Sequence, residues 1–293
     1  MGNYDFDSAV IGGGSAGYAT ARTTAAAGKR TVIIEAGGEL GGLCILRGCM
    51  PTKALLHAAD VRHQARRSSI WGLKPDEVSF DFAAVMRRKA AMVEEFASYR
   101  RGQLQDGRFE LIRALARFRD PHTLELDNGK AVTAEHIMIC TGSRVAELPL
   151  PGLTKLGCIT SDDALRLESL PKSIIVLGGG AVALEFAQFF ARFDVEVTVL
   201  QRSPHILKAF DDDGAGEVEA AFRAEGITVH TGCSLTDARQ DSNEKVITFE
   251  RDGVQHEVRA EAVFHGLGRS PNTGSLALEN GGVETERGRI LCD

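Results

Sequence analysis

The sequence predicts an α/β fold made of two parallel-sheet units. Three observations carry that expectation: two glycine-rich strand–helix–strand patterns, beginning at Phe6 and Ser173, and a close cysteine pair between them at Cys44 and Cys49.

Residues 6–17 read Phe-Asp-Ser-Ala-Val-Ile-Gly-Gly-Gly-Ser-Ala-Gly. A short apolar strand runs into Gly12-x-Gly14-x-x-Gly17. An Ala-rich helix is expected over Tyr18–Ala27, capped by Gly28, and a second strand over Thr31–Ile34 ends at Glu35. The glycines let the backbone approach a pyrophosphate seated on the helix N-terminus, and Glu35 falls where an acid accepts from an adenosine ribose. A lone Gly-x-Gly-x-x-Gly is weak evidence. With strand, helix, strand and acid in order, it marks a Rossmann-like dinucleotide-binding unit.

The second pattern runs from strand Ser173–Leu177 through Gly178-x-Gly180-x-x-Ala183 and a helix to Phe193, then strand Val195–Leu200. Two such units imply two dinucleotides and electron transfer between them; the alternative is a duplication with one silent site. Gln201-Arg202 stands where Glu35 stands in the first unit. A neutral Gln followed by Arg suits a 2′-phosphate better than a bare ribose, which favours NADP over NAD. Lys208 and His205 are close enough in sequence to assist.

Between the units lies Gly41-Gly42-Leu43-Cys44-Ile45-Leu46-Arg47-Gly48-Cys49-Met50-Pro51-Thr52-Lys53. Two cysteines bracketed by glycines, ahead of an apolar helix-like run, read as a redox pair laid at a helix start near Pro51. Proline suits a first helical turn, and the helix N-terminus would stabilise negative charge on Cys49. A zinc pair would need two further ligands, and no second Cys/His pair has suitable spacing; no metal is expected. The other four cysteines are scattered, unlike a secreted disulfide framework.

Further along, a charged helix is expected over Phe82 to about Gln105. Strands are expected over 109–139 with a turn at Asp127-Asn128-Gly129, then a buried strand closing on Thr141-Gly142. Pro, Gly and short polar residues at 148–161 suggest a crossover between domains. A helix is expected over Ala215–Glu225, strands over Ile227–Phe264, and a last strand over Gly288–Asp293.

Composition is that of a globular protein, 43% apolar and 25% charged, and a net charge of −6 gives no reason to expect nucleic acid or an anionic membrane. The N-terminus lacks a basic-then-apolar leader, and Phe6 stands where N-myristoylation would need Ser or Thr. No run is apolar enough to span a bilayer. A cytoplasmic setting is expected.

Together these motifs resemble the flavin-dependent pyridine nucleotide–disulfide oxidoreductases: dihydrolipoamide dehydrogenase, glutathione reductase and mercuric reductase. The resemblance rests on Gly12-x-Gly14-x-x-Gly17 with Glu35, Cys44-x4-Cys49-x-Pro51-Thr52-Lys53, Thr141-Gly142, Gly178-x-Gly180-x-x-Ala183 with Glu185, and Gly268-Arg269-x-Pro271-Asn272. It covers the whole chain, and the cysteine block is its most specific part. It implies FAD on residues 1–153 plus 271–293, with Gly42 beside the cofactor, and NAD(P) on 154–270. Hydride would pass from nicotinamide to flavin, then both electrons to the Cys44–Cys49 disulfide and on to a small-molecule or protein disulfide. Cys49 would face the flavin, Cys44 would exchange with substrate, and Lys53 would pair with Glu185. Family members continue well past this length, into the rest of the FAD site and a C-terminal interface domain that makes a homodimer and supplies a His–Glu pair. The resemblance therefore implies an FAD domain incomplete here and an interface domain absent. Mercuric or glutathione reductase-type activity, a non-catalytic nucleotide-binding piece, and a diaphorase that bypasses the disulfide are the alternatives.

Overall fold

The computed structural model describes residues 4–74 and 77–293. Met1 and Gly2, on which the leader and myristoylation readings bear, lie outside them. The chain begins β1 (Phe6–Ile11), α1 (Ser15–Ala26), β2 (Thr31–Ile34), α2 (Gly42–Leu46), α3 (Cys49–Arg67), α4 (Phe82–Leu104), β3 (Glu110–Ile112), β4 (Ala116–Asp120), β5 (Thr123–Leu126), β6 (Ala131–Ile139) and β7 (Ser143–Val145). It continues α5 (Pro151–Lys155), α6 (Ser161–Ala164), β8 (Ser173–Leu177), α7 (Ala181–Arg192), β9 (Glu196–Leu200), α8 (Asp212–Ala224) and β10 (Thr228–His230). It ends β11 (Ser234–Asp241), β12 (Glu244–Arg251), β13 (Val254–Ala260), β14 (Ala262–His265), β15 (Arg269–Pro271), β16 (Thr285–Glu286) and β17 (Arg289–Ile290). Packing divides it into two compact units: Met1–Met50, Ala91–Arg144 and Arg269–Asp293 form the first, Pro51–Ala90 and Val145–Gly268 the second.

In the first unit a sheet runs β3-β2-β1-β6-β5-β4. β1 is central and parallel to both neighbours, with Val10 opposite Ile33 on one side and Met138 on the other. Every residue of β2 is buried, as a parallel strand covered on both faces requires. Alternate residues serve opposite cores: Ala9, Ile11, Val32 and Ile34 face one, Val10 and Ile33 the other with Tyr18 and Ala21 of α1. The returning segment completes the first core with Leu276 and Leu278. It is held where the Phe118 N–H donates to the Leu276 carbonyl at 2.8 Å and Asn280 Nδ2 donates to the Phe118 carbonyl at 3.0 Å.

The second unit has a parallel sheet, β10-β9-β8-β14, and an antiparallel sheet, β11-β12-β13. Phe186, Phe189 and Phe190 of α7 and the following Phe193 recur at helical spacing and are all buried. Phe186 lies 4.9 Å, centroid to centroid, from Phe264 of β14. Removing one such ring costs about 3–5 kcal/mol. Leu55 and Ala59 of α3 join the same core.

Charges tie α3 to α7. Arg192, at the last position of α7, pairs with Asp60 of α3 and donates through Nη2 and Nε to Glu225, both at 2.8 Å. Arg62 donates to the Arg192 carbonyl and to Asp194 at 2.5 Å, and lies 4.6 Å over the Phe80 ring. Both guanidiniums are nearly buried and both are satisfied.

Four expectations need correction. α3 starts at Cys49 instead of near Pro51, so Cys49 itself opens the helix. α1 and α8 start three residues earlier than expected: Gly14 already caps α1, and Asp212 and Asp213 suit the positive end of α8. The strand expected over the last six residues reduces to β17, paired only with β16, because Arg287 and Gly288 turn the chain with φ of 51° and 77°.

Candidate active site

The two glycine patterns form the same local geometry. In the first unit the Gly12 N–H donates to the Ile34 carbonyl at 2.8 Å, and the Gly13 N–H to Glu35 Oε2 at 2.6 Å. In the second, the Gly178 N–H donates to the Leu200 carbonyl at 2.9 Å and the Gly179 N–H to Gln201 Oε1 at 2.9 Å. A neutral amide at 201 thus makes the backbone bond that a carboxylate makes at 35. Gly12 and Gly178 have φ of 104° and 105°. A Cβ on Gly178 would come 2.6 Å from the Gly266 carbonyl oxygen, and one on Gly12 would strike that of Cys140.

A cavity of about 570 Å³ opens in the first unit. Gly12, Gly14, Glu35, Gly42, Thr141 and Gly142 line it, together with Cys44 and Cys49. α1 points its N-terminus here. Its N-cap is Gly14, with no side-chain cap and no acid in the first turn, so its leading N–H groups are presented to the cavity. Gly42, φ 73°, has no room for a Cβ against Gly14 Cα. This cradle fits the pyrophosphate and ribose of an adenine dinucleotide, with Glu35 in its lining. Glu35 is itself positioned, accepting from the Gly37 N–H at 2.7 Å as well. Asn272 fixes the Thr141-Gly142 turn: its Nδ2 donates to the Thr141 carbonyl and its N–H to the Gly142 carbonyl, both at 3.0 Å.

Gly17 and Arg269 do not line the cavity. Gly17 packs α1 on β1, and Arg269 donates to the hydroxyl and carbonyl of Ser143 at 2.8 and 2.7 Å. Gly268, φ 112°, takes the turn before β15. Ser275, Leu276 and Ala114–Ala116 also line the cavity, and no local sequence pattern marks them. Cys44 is half-buried on α2, and Cys49 is exposed at the head of α3.

In the second unit Lys53 pairs with Glu185 of α7. Gly180 caps α7 with no side-chain cap and no acid in the first turn, again leaving N–H groups for a phosphate. Ala183 packs against Gly266. Arg202 and Lys208 are exposed, whereas His205 is engaged by Asp212 at 3.2 Å. Among the described residues there is no group of His, Cys, Asp and Glu able to hold a metal, and no helix long and apolar enough to cross a membrane.

A sequence profile described as pyridine nucleotide-disulphide oxidoreductase matches residues 6–293. The chain belongs to the pyridine nucleotide–disulphide oxidoreductase family. Relatives in this oxidoreductase family include the mercuric reductase of Bacillus cereus, 33% identical over all of this chain and 46% of that protein. The dihydrolipoyl dehydrogenase of Geobacillus stearothermophilus is 34% identical over 97% of this chain and 61% of its own length. The HOCl-induced flavoprotein disulfide reductase RclA from Escherichia coli superposes with a TM-score of 0.82 at 30% identity, over 98% of this chain and 62% of its own. The α/β fold expected from sequence is the fold of this family. The chain spans about half to three-fifths of the length of these relatives.

Proposed function

We propose that this chain is the nucleotide-binding part of a flavin-dependent disulfide reductase, with FAD in the first unit, a nicotinamide nucleotide on the second, and Cys44 and Cys49 as the redox pair. The observation that carries the reading is that both cysteines line the same cavity as the glycine cradle, Glu35 and Thr141-Gly142. When bound, the flavin supplies two-electron chemistry between a nicotinamide and a disulfide. The chain's own residues do the rest. The α1 N-terminus would hold a pyrophosphate, Glu35 would orient a ribose, and Thr141-Gly142 would wall the same cavity. Cys49 at the head of α3 would be favoured as a thiolate by the helix dipole. Lys53, four residues further along α3, is oriented by Glu185.

For the nicotinamide nucleotide, Gln201 and exposed Arg202 and Lys208 support NADP over NAD, since a neutral amide stands at 201 where the first unit has the Glu35 carboxylate. Disulfide-containing acceptors, in a cytoplasmic homodimer when the rest of a family-length chain is present, complete the reading. The relatives named dihydrolipoyl dehydrogenase favour a dihydrolipoamide dehydrogenase-like acceptor, and those named mercuric reductase favour a metal-reducing one.

Purified protein given FAD and NADPH is expected to gain two alkylatable thiols, mapped by peptide mass to Cys44 and Cys49. Cys44→Ser and Cys49→Ser are each expected to abolish that gain while flavin binding persists. Arg202→Glu is expected to weaken NADPH about tenfold or more while sparing NADH. A protein that binds no flavin, or that gains thiols elsewhere, sinks the proposal. Full dye reduction by Cys44→Ser, with no role for the pair, favours a diaphorase.

A further inference from the structure

The loop between the cysteines carries a cation that the reading above does not use. α2 is only five residues long, and the Arg47 N–H donates to the Leu43 carbonyl at 2.9 Å, so helical bonding continues up to Arg47. Residues three apart on such a turn share a face, with Cβ atoms about 5–6 Å apart. Cys44 and Arg47 are three apart. Gly48 then folds the chain back tightly: a Cβ there would meet the Leu43 carbonyl oxygen at 2.9 Å and Cys44 Cα at 3.3 Å. The turn that fixes Arg47 is thus packed against the backbone of Cys44.

Cys44, Arg47, Gly48 and Cys49 all line the same cavity. Its other charged lining residues are Glu35 and Glu39, so Arg47 is the one cation among the described residues of the lining. Glu35 is held by backbone N–H groups of Gly13 and Gly37. Arg47 is an exposed residue of this lining.

We infer that Arg47 selects for anionic partners at Cys44, so that the acceptor of this protein is a disulfide carrying carboxylate or other negative groups. This rests on the assignment of Cys44 as the exchanging thiol. In the exchange, the Cys44 thiolate would attack one sulfur of the acceptor. A new S–S bond forms, the old one breaks, and the leaving thiolate takes a proton from solvent. Attack by Cys49 on that mixed disulfide would release the second thiol and restore the Cys44–Cys49 bond. The two electrons lost by the pair are those gained by the acceptor. A guanidinium beside the attacked sulfur lowers the barrier for an anion and leaves an uncharged disulfide unaffected.

The test is differential alkylation of Cys44 in the reduced full chain, by anionic iodoacetate and by neutral iodoacetamide, read by peptide mass. Both reagents need the same thiolate, so their rate ratio cancels any change in thiolate fraction. A unit charge about 6 Å away in water is worth about a threefold rate difference. Arg47→Leu is expected to lower the iodoacetate-to-iodoacetamide ratio about threefold, Arg47→Lys to keep most of it, and salt at about 1 M to erase it in the parent protein. An unchanged ratio in Arg47→Leu overturns the inference. So does an unchanged ratio accompanied by loss of FAD affinity, which would make the guanidinium a cofactor ligand. Because alkylation needs neither flavin nor turnover, it separates failure of this inference from failure of the redox assignment, which would show as no thiols gained on reduction. In turnover, Arg47→Leu is expected to lower kcat/KM for the anionic 5,5′-dithiobis(2-nitrobenzoate) and leave that for hydroxyethyl disulfide unchanged.

Discussion

Gly17→Ala is expected to destabilise the first unit by about 3 kcal/mol, with loss of flavin binding, because overpacking against rigid atoms lies at the upper end of its usual cost. The added Cβ would fall on the carbonyl oxygen of Gly12 and within 3.3 Å of Val10 Cγ1. The oxygen belongs to the backbone of the phosphate cradle, so no flexible side chain can yield. α1 would have to lift from β1, carrying its N-terminus away from the cavity. The second unit shows how an alanine is accommodated at the same place. Ala183 occupies the third small position there, and the residue across from it is Gly266, where a Cβ would come 2.6 Å from that of Ala183. In the first unit the corresponding residue is Cys140, whose N–H donates to the Ile11 carbonyl at 2.8 Å just as that of Gly266 donates to Leu177 at 2.9 Å. A urea midpoint shift for Gly17→Ala corresponding to less than about 1 kcal/mol, with flavin retained, would contradict this packing account.

Arg192→Met is expected to cost about 3–5 kcal/mol in the second unit, the usual penalty for removing one partner of a buried ion pair. Glu225 would be left at 15% exposure without its two hydrogen bonds from Arg192. Asp60 would lose its partner on α7 as well. The same cluster makes stability depend on pH. Burial pushes the Glu225 carboxyl up, but hydrogen bonding and charge from Arg192 outweigh it and hold the group below its ordinary value. The hydrogen bond from Arg62 does the same for Asp194, against a smaller effect of burial. Both contributions are present above the ordinary carboxylate range and are lost as pH falls through the lowered values. Burial also holds His63 and His230 below the ordinary imidazole value. Each takes up a proton later than in the unfolded chain, so stability begins to fall as pH drops through about 6.5. Urea midpoints measured from pH 7.5 to 5.5 are expected to decline, and less steeply in a His63→Gln, His230→Gln double variant. A flat profile in the parent protein would refute the assignment.

What was legible in the sequence was local. The strands beside Gly12 and Gly178, the glycine cradles and the small third positions follow from short-range patterns whose geometry leaves few alternatives. The partnership of Lys53 with Glu185, 132 residues apart, came only through resemblance. α2 carries no sequence signal because it is five residues long and opens after Gly41 and on Gly42, with φ of 141° and 73°, so its glycines read as loop. Leu276 was unreadable as a cavity wall for a different reason. Its position depends on hydrogen bonding to Phe118, far away in sequence, and an isolated leucine carries no mark of that partner. Likewise, the apolar face of α3 announces burial at Leu55 and Ala59, but not that the Phe186–Phe193 cluster is what buries it.

The first unit is assembled from three separated stretches, the last beginning at Arg269. On a ribosome this imposes a waiting period. Once Arg144 has emerged, over a hundred residues of the second unit must be made before Leu276 can close the open face of β4 and Asn272 can pin the turn at Thr141. At about 5–20 residues per second that interval is roughly 6–25 s. Throughout it the nascent first unit has an unfinished core, while the second can collapse around its phenylalanines. Order of synthesis and order of completion are thus reversed, and the stretch around Leu276 acts as the latch that ends the exposure.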